Sequence, residues 1–134
     1  MKPITAVVIV LLAVVPVSAM ALANTARDAI LANFANQAGG SLSASRGETF
    51  FKASHTGGKP DTPSCTTCHT ANPLNPGRTR AGKAIEPMAV SANPKRFTDP
   101  AKVEKWLRRN CASVLGRECT PAEKGDVITW LSSQ

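Results

Sequence analysis

Two cysteines and a histidine lie within five consecutive residues, in the run Cys65-Thr66-Thr67-Cys68-His69. This C-x-x-C-H spacing is typical of the covalent attachment of a c-type haem. Two thiols at this spacing can add to the two vinyl groups of a porphyrin, and the adjacent imidazole can then bind the iron. The motif therefore predicts one covalent haem c, held by Cys65 and Cys68, with His69 as the proximal iron ligand.

Two other uses of closely spaced cysteines fit the sequence less well. A thioredoxin-like redox pair needs a βαβ context, and the sequence shows no such pattern. A zinc site needs four well-spaced ligands, and the remaining cysteines, Cys111 and Cys119, belong to a different pattern. A haem also supplies the large apolar body that a chain with only 4% aromatic residues lacks.

The second axial ligand of the iron decides between classes of function. Met88 is one candidate, because His/Met ligation is the usual arrangement of electron carriers. It follows His69 by only nineteen residues, and a methionine there could instead be a flexible apolar plug against the ring edge. His55 is another candidate, but its Ser, Thr, Gly and Lys neighbours favour a solvated helix end.

Asn110 is a further candidate because of its place on a predicted helix. On a helical wheel it falls at the centre of the apolar stripe. The other members of that stripe are Val103, Trp106, Leu107 and Val114. A buried amide without a partner costs roughly 1–3 kcal/mol, so we expect it to bond to something. The pattern leaves two roles open: the amide satisfies a backbone group or caps a helix that ends early, or its oxygen binds iron.

The N-terminal segment has the composition of a secretory signal. Lys2 precedes an apolar run from Ile4 to Val17, and small residues end the segment at Ala23. This apolar run is short for a membrane span. We therefore predict a signal peptide at 1–23, a monohaem domain at 24–134, and export to the periplasm with no stable membrane span after cleavage.

The chain is basic, with 16 Lys and Arg against 9 Asp and Glu and a formal net charge of +7. Export and the scarcity of aromatic residues for base stacking argue against nucleic acid as a partner. The excess charge predicts a docking surface for an acidic redox partner, or a solvated face without one. Some basic residues are expected to neutralise haem propionates and the others to steer the partner: Arg78, Arg80, Lys83, Lys95, Arg96, Arg108 and Arg109.

Four helices are predicted to position these residues, and the absence of sustained period-2 alternation makes the fold class all-α. The first spans 24–38 and is stopped by Gly39-Gly40. The second opens with a capping box at Ser45 and Glu48 and runs to about His55.

The other two predicted helices follow a long loop. That loop, 72–94, is rich in Pro, Gly and Asn, and long loops of this kind usually wrap something. The third helix begins at Asp99-Pro100 and ends at Gly116. The last begins with a capping box at Thr120 and Glu123.

The segments around the haem motif resemble class I cytochromes c. Gly47 and Phe51 look like part of the helix that precedes the haem site in those proteins, and the segment 126–131, with Trp130, looks like their closing helix. In that fold the two helices cross at the small glycine. The resemblance implies a class I cytochrome c-like helical fold around one covalent haem, here with an extra N-terminal helix.

A longer set of segments resembles one small family, which contains the sphaeroides haem protein and cytochrome c''. The resemblance covers about residues 45–131, in the segments 82–88, 93–99, 102–106, 108–111 and 115–126. In that family the residue before the first of two late cysteines is the distal ligand, Asn in one branch and His in the other. The resemblance therefore implies Asn110 as the distal ligand and a disulfide between Cys111 and Cys119.

The same resemblance implies an electron-transfer cytochrome whose distal ligand leaves on reduction, so that the iron binds a diatomic gas such as O2 or NO. It also implies electron supply from a dihaem cytochrome c. An amide oxygen is a hard, neutral donor that suits ferric iron and binds reduced iron less well. An oxygen- or NO-reacting enzyme and a sensor both fit this reading, and the alternative is a plain His/Met electron shuttle with Met88 on iron.

Overall fold

The computed structural model describes residues 19–134, and the predicted signal peptide lies outside them as far as residue 18. Five helices form the frame, and a single pair of two-residue antiparallel strands lies within the predicted long loop. The elements are α1 Ala19–Ala38, α2 Ala44–Lys52, α3 Thr66–His69, β1 Gly77–Arg78, β2 Ala84–Ile85, α4 Pro100–Leu115 and α5 Pro121–Ser132. The all-α fold class is confirmed.

The predicted first helix extends further towards the N-terminus than the sequence indicated. α1 is already helical at Ala19, and it ends at Ala38, before Gly39 with its φ of +67°. Its buried face carries Ile30 and Phe34, which pack with residues of α4 and α5. None of the helices within residues 19–134 is long and apolar enough to cross a membrane.

The start of α2 differs from the prediction. Its N-cap is Ser43, whose hydroxyl accepts a hydrogen bond from the N–H of Arg46 at 3.2 Å, so the capping box predicted at Ser45 and Glu48 is wrong. The N–H of Ser43 also donates to a carboxylate oxygen of Asp126 at 2.6 Å. A contact to α5 thus fixes where α2 begins, and α2 ends at Lys52 rather than near His55.

Both ends of α4 and the start of α5 lie at the capping residues that the sequence predicted. The carboxylate of Asp99 accepts a hydrogen bond from the N–H of Lys102 at 3.1 Å, and Gly116 ends α4 in the left-handed conformation. Thr120 and Glu123 form the predicted reciprocal capping box at the start of α5. Both predictions are confirmed.

The predicted crossing of two helices at a glycine is also confirmed. A Cβ atom added to Gly47 on α2 would overlap the backbone carbonyl of Asp126 on α5, so only glycine allows this approach. One turn further along α2, the ring of Phe51 lies 5.2 Å from the ring of Trp130. The crossing therefore brings Phe51 into the wall of the cleft described next.

Candidate haem site

The C-x-x-C-H residues lie on and just before α3. The hydroxyl of the buried Ser64 accepts a hydrogen bond from the N–H of Thr66 at 3.2 Å, which supports the start of this short helix. On the other side, a Cβ atom on Gly77 would overlap the carbonyl oxygen of Cys68, so strand β1 packs directly against α3. The hydrogen bond between Ser64 and Thr66 and the close contact between Gly77 and Cys68 thus hold the motif from two sides.

A cleft that is open to solvent lies beside α3, with about 780 Å³ of space between its walls and mouth. The structure brings all the candidate ligands except His55 to this cleft, and its other walls are mainly apolar. The candidates that line it are Cys65, Cys68, His69, Met88 and Asn110, and the apolar lining includes Phe50, Phe51, Leu107, Val114 and Leu131.

The imidazole of His69 is suited to binding a metal. Burial lowers the pKa of His69 to about 4, and the positive charge of Arg96 adds to this effect, so the ring is neutral at pH 7. Its Nδ1 atom is buried and has no hydrogen-bond partner in the part of the chain that the structure describes. An unsatisfied buried polar atom costs about 1–3 kcal/mol. The neutral ring also carries one unprotonated nitrogen, whose lone pair can bind a metal.

The two motif cysteines fit thioether formation. Both are free of disulfides in the structure. Thioether formation adds the sulfur and the hydrogen of each thiol to the two carbons of a vinyl group, so it requires two free thiols. Burial raises the pKa of the Cys65 thiol to about 11. With the neutral imidazole and the apolar cleft, the residues present fit a haem c.

Asn110 lies in the wall of the same cleft, on α4. The helix continues beyond it to Leu115, so Asn110 does not cap a helix that ends early. Among residues 19–134, no other residue makes a hydrogen bond with the side-chain amide of Asn110. The sequence left open that the amide satisfies a backbone group or caps a helix that ends early. Among the described residues it does neither.

Met88 lines the cleft as well, in a different packing environment. It packs against the core cluster that contains Phe51 and Trp130, and the ring of Phe51 lies 6.1 Å from the ring of His69. Met88 thus belongs to the side-chain cluster that supports the haem motif. His55 does not line the cleft; its Nε2 atom lies 2.9 Å from the carbonyl oxygen of Phe50.

The segment after Asn110 is closed by two cross-links. A disulfide joins Cys111 to Cys119, with their Cα atoms 5.6 Å apart. Two nitrogens of the Arg117 guanidinium each donate to a carboxylate oxygen of Glu123 at 2.8 Å. These hydrogen bonds lower the pKa of Glu123. The disulfide thus ties α4 to the linker that follows it, and the Arg117–Glu123 pair ties that linker to α5.

The predicted basic residues do not all reach the cleft. Lys95 and Arg96 line an adjoining pocket, which shares His69 and Asn110 with the cleft. Arg80 pairs with the carboxylate of Asp61. Trp106, which the helical wheel placed on the apolar stripe, is 53% exposed because it lies at the edge of that stripe.

Several residues of the cleft wall, among them Thr62, Ser113 and Phe97, carry no sequence pattern that identifies them as site residues. Thr62 and Ser113 place their hydroxyl oxygens 2.9 Å apart and so join the loop before the motif to α4. Phe97 lines the cleft with a φ of +59°. No local pattern marks either feature, because both depend on contacts between distant parts of the chain.

The chain is similar in sequence to known proteins. A family described as "Domain of unknown function (DUF1924)" matches residues 37–131. Cytochrome c-type protein SHP of Cereibacter sphaeroides is 56% identical over 105 residues, which cover 78% of this chain and 81% of that protein. Cytochrome c'' of Methylophilus methylotrophus is 44% identical over 71 residues, 52% of this chain and 49% of that protein.

Two solved structures are similar in fold. The structure of oxidized SHP, described as an oxygen binding cytochrome c, matches with a TM-score of 0.79 and 55% identity. The match covers 81% of this chain and 96% of that one. The crystal structure of oxidized cytochrome c'' matches with a TM-score of 0.70 and 32% identity, over 82% of this chain and 95% of that one.

Proposed function

Because this chain belongs to the family of SHP and cytochrome c'' and is a c-type cytochrome with one covalent haem c, we propose that it transfers electrons and binds a diatomic gas in its reduced state. The bound haem supplies an iron that accepts and gives up one electron and has an axial position where ligands can exchange. Cys65 and Cys68 would hold it through thioethers, and His69 would bind the iron. Gas binding is supported by the relative described as an oxygen binding cytochrome c.

The observation that carries the proposal is the amide of Asn110 in the cleft wall, which has no hydrogen-bond partner among the described residues. We assign its carbonyl oxygen as the residue atom that would hold ferric iron on the distal side. A neutral, hard oxygen donor binds the more positive ferric state better than the ferrous state. Reduction would therefore weaken this bond, and release of Asn110 would leave room for O2 or NO.

The second candidate function is a His/Met electron shuttle, which Met88 favours because it also lines the cleft. Its packing with the cluster around Phe51 and Trp130 gives Met88 a structural role without a bond to iron. Asn110 has no such role among the described residues. This difference favours Asn110 over Met88 as the distal ligand.

Uptake of carbon monoxide tests the proposed function directly. The reduced holoprotein is mixed with CO, and the Soret band is followed by stopped-flow absorbance. We expect rapid binding at a rate proportional to the CO concentration, because a weak ligand has left the iron. A spectrum that CO does not change would instead support the shuttle with Met88 on iron.

We further propose that the chain works in the periplasm and receives electrons from an acidic redox protein, such as a dihaem cytochrome c. The support is the net charge of +7 together with the predicted signal peptide. Attraction between opposite charges speeds association, and salt screens it. The rate of reduction by a dihaem cytochrome c should therefore fall as ionic strength rises, and a rate independent of salt would contradict this partner surface.

A further inference from the structure

Arg27 on α1 is a buried arginine that the proposed function does not use. It is only 4% exposed, and no carboxylate lies within ion-pair distance of it among the residues that the structure describes. Its Nη1 atom donates to the side-chain oxygen of Asn24 on the same helix at 3.0 Å. The other two nitrogens donate to backbone carbonyls: Nη2 to Pro94 at 2.7 Å, and Nε and Nη2 to Arg96 at 3.2 and 3.1 Å. Outside α1, the hydrogen bonds of this guanidinium therefore go to one short segment, 94–96.

The segment held by Arg27 contains an unfavourable backbone conformation. Phe97 has a φ of +59°, in the left-handed region that aromatic residues rarely adopt. Such conformations persist only where the surrounding structure holds them, and they cluster at functional sites. The carbonyl of Arg96, which accepts two hydrogen bonds from Arg27, belongs to the peptide group directly before Phe97. Arg27 is thus placed to hold this conformation.

The same segment directs the side chain of Arg96 towards the haem cleft. Arg96 is half-buried, and its guanidinium donates to the carbonyl oxygens of Glu86 at 2.6 Å and Pro87 at 2.9 Å. It lines a pocket that adjoins the haem cleft and shares His69, Met88 and Asn110 with it. The charge of Arg96 therefore lies close to the residues that are candidates for binding the iron.

We propose that Arg27 is a positioning residue: by clamping the carbonyls of Pro94 and Arg96, it places the Arg96 guanidinium beside the haem, where the charge favours the reduced state. Reduction removes one positive charge from the iron. A fixed positive charge in a partly buried site therefore destabilises the ferric state more than the ferrous state and raises the midpoint potential. The inference rests on the haem of the proposed function but not on Asn110 as its distal ligand.

The test is the midpoint potential of purified holoprotein variants, followed by optical redox titration. Arg96→Met should lower the potential because it removes the positive charge. Arg27→Met should lower it in the same direction by a smaller amount, because Arg96 is then less well placed. The double variant should match Arg96→Met alone. Lys59→Met is the control, since it removes an exposed charge that does not line the cleft or the adjoining pocket, and its potential should stay close to that of the wild type.

Two results would overturn the proposal. One is an Arg27→Met protein that is less stable to heat but keeps the wild-type potential, which would make the clamp purely structural. The other is a double variant in which the two shifts add, which would mean that Arg27 acts independently of Arg96. If Arg27→Met yields no holoprotein, Arg27→Lys replaces it in the same comparison. That variant keeps the charge and loses the forked donor, so it should give a smaller drop in potential than Arg96→Met. CO uptake by the reduced wild type is measured separately and tests the proposed function alone.

Discussion

Gly47 and Asp126 are in backbone contact at the crossing of α2 and α5, too close for any side chain on Gly47. Asp126 also accepts hydrogen bonds through its carboxylate, from the N–H of Ser43 at 2.6 Å and from Nε of Arg46 at 2.7 Å. One residue of α5 therefore sets both the crossing distance and the start of α2. Since α2 carries Phe51 into the cleft wall, this contact positions one side of the haem site.

Gly47→Ala should destabilise the protein, because the added methyl group forces the two helix backbones apart. Overpacking of this kind costs roughly 1–3 kcal/mol in the free energy of unfolding. The measurement is denaturant unfolding of the holoprotein. Gly40→Ala is the matched control, because a Cβ atom there has no atom within 4 Å. Equal effects of the two substitutions would contradict a close crossing at Gly47.

Asn110→Ala should leave the haem attached and open the ferric iron to external ligands. Attachment depends on Cys65, Cys68 and His69, so the mass of the variant should still include one haem. The ferric protein should bind azide faster than the wild type, which is measured by absorbance. Asn110→His should instead give a stronger ligand, move the ferric spectrum towards low spin and slow the binding of CO.

Met88→Leu is the matched comparison for Asn110→Ala, because both residues line the cleft. Leucine keeps most of the apolar volume and removes the sulfur, so we expect little change in the ferric spectrum. The near-infrared region is diagnostic, since a bond from sulfur to iron gives a band there. The proposal is wrong if the wild type shows this band, Met88→Leu abolishes it, and Asn110→Ala leaves the spectrum unchanged. In that case Met88, and not Asn110, is the ligand.

Replacing Cys111 and Cys119 by serine should lower the stability of the protein. The bridge spans a sequence separation of 8, and the entropy of closing such a loop corresponds to about 2.6 kcal/mol of the free energy of unfolding. Thermal unfolding of the double variant and the wild type measures the difference. Thiol titration of the unfolded, unreduced wild-type holoprotein should find neither cysteine free, and two free thiols would contradict the disulfide.

Glu123 should make stability depend on pH in the acid range. Its hydrogen bonds to Arg117 hold the pKa of Glu123 below the ordinary value of 4.5. The unfolded chain therefore binds a proton more readily, so this contribution to stability is present above about pH 4.5 and is lost as the pH falls through the folded pKa. As the pH falls, the free energy of unfolding of Glu123→Gln should therefore decrease less than that of the wild type. Thermal unfolding of both proteins between about pH 5 and about pH 3 measures this difference.

The control for the acid range is Glu118→Gln. Glu118 is exposed and forms no ion pair with the residues that the structure describes. Its variant should therefore follow the wild type as the pH falls. If Glu123→Gln also followed the wild type, the pair with Arg117 would not contribute to acid stability.

Features of the fold that depend on neighbouring residues could be predicted from the sequence. The caps of α4 and α5 are examples, because Asp99 and Thr120 bond to backbone groups three residues away. The start of α2 could not be predicted in this way, since Ser43 is fixed by Asp126, eighty-three residues later. The same limit applies to Phe97, whose backbone conformation is held through Arg27 on α1.

For the site, too, features set by neighbouring residues could be predicted from the sequence, and features set by contacts between separate segments could not. The spacing of Cys65, Cys68 and His69 identifies a haem motif without any structure. The helical wheel placed Asn110 on an inward face, but only the structure shows that its amide lacks a partner among the described residues. The role of Arg96 could not be separated from that of other basic residues, because its place beside the cleft depends on backbone carbonyls of a distant segment.

The two cross-links after Asn110 bear on how quickly the site can respond. The disulfide ties Cys111 on α4 to the linker before α5, and Arg117 of that linker pairs with Glu123 on α5, which restrains the part of α4 next to Asn110. Release of Asn110, the proposed ligand, would then need only the rotation of one side chain, a motion of picoseconds to nanoseconds, rather than a slower collective displacement. The strength of the proposed oxygen–iron bond would therefore determine how long the iron stays closed to other ligands, because the backbone around it does not have to move.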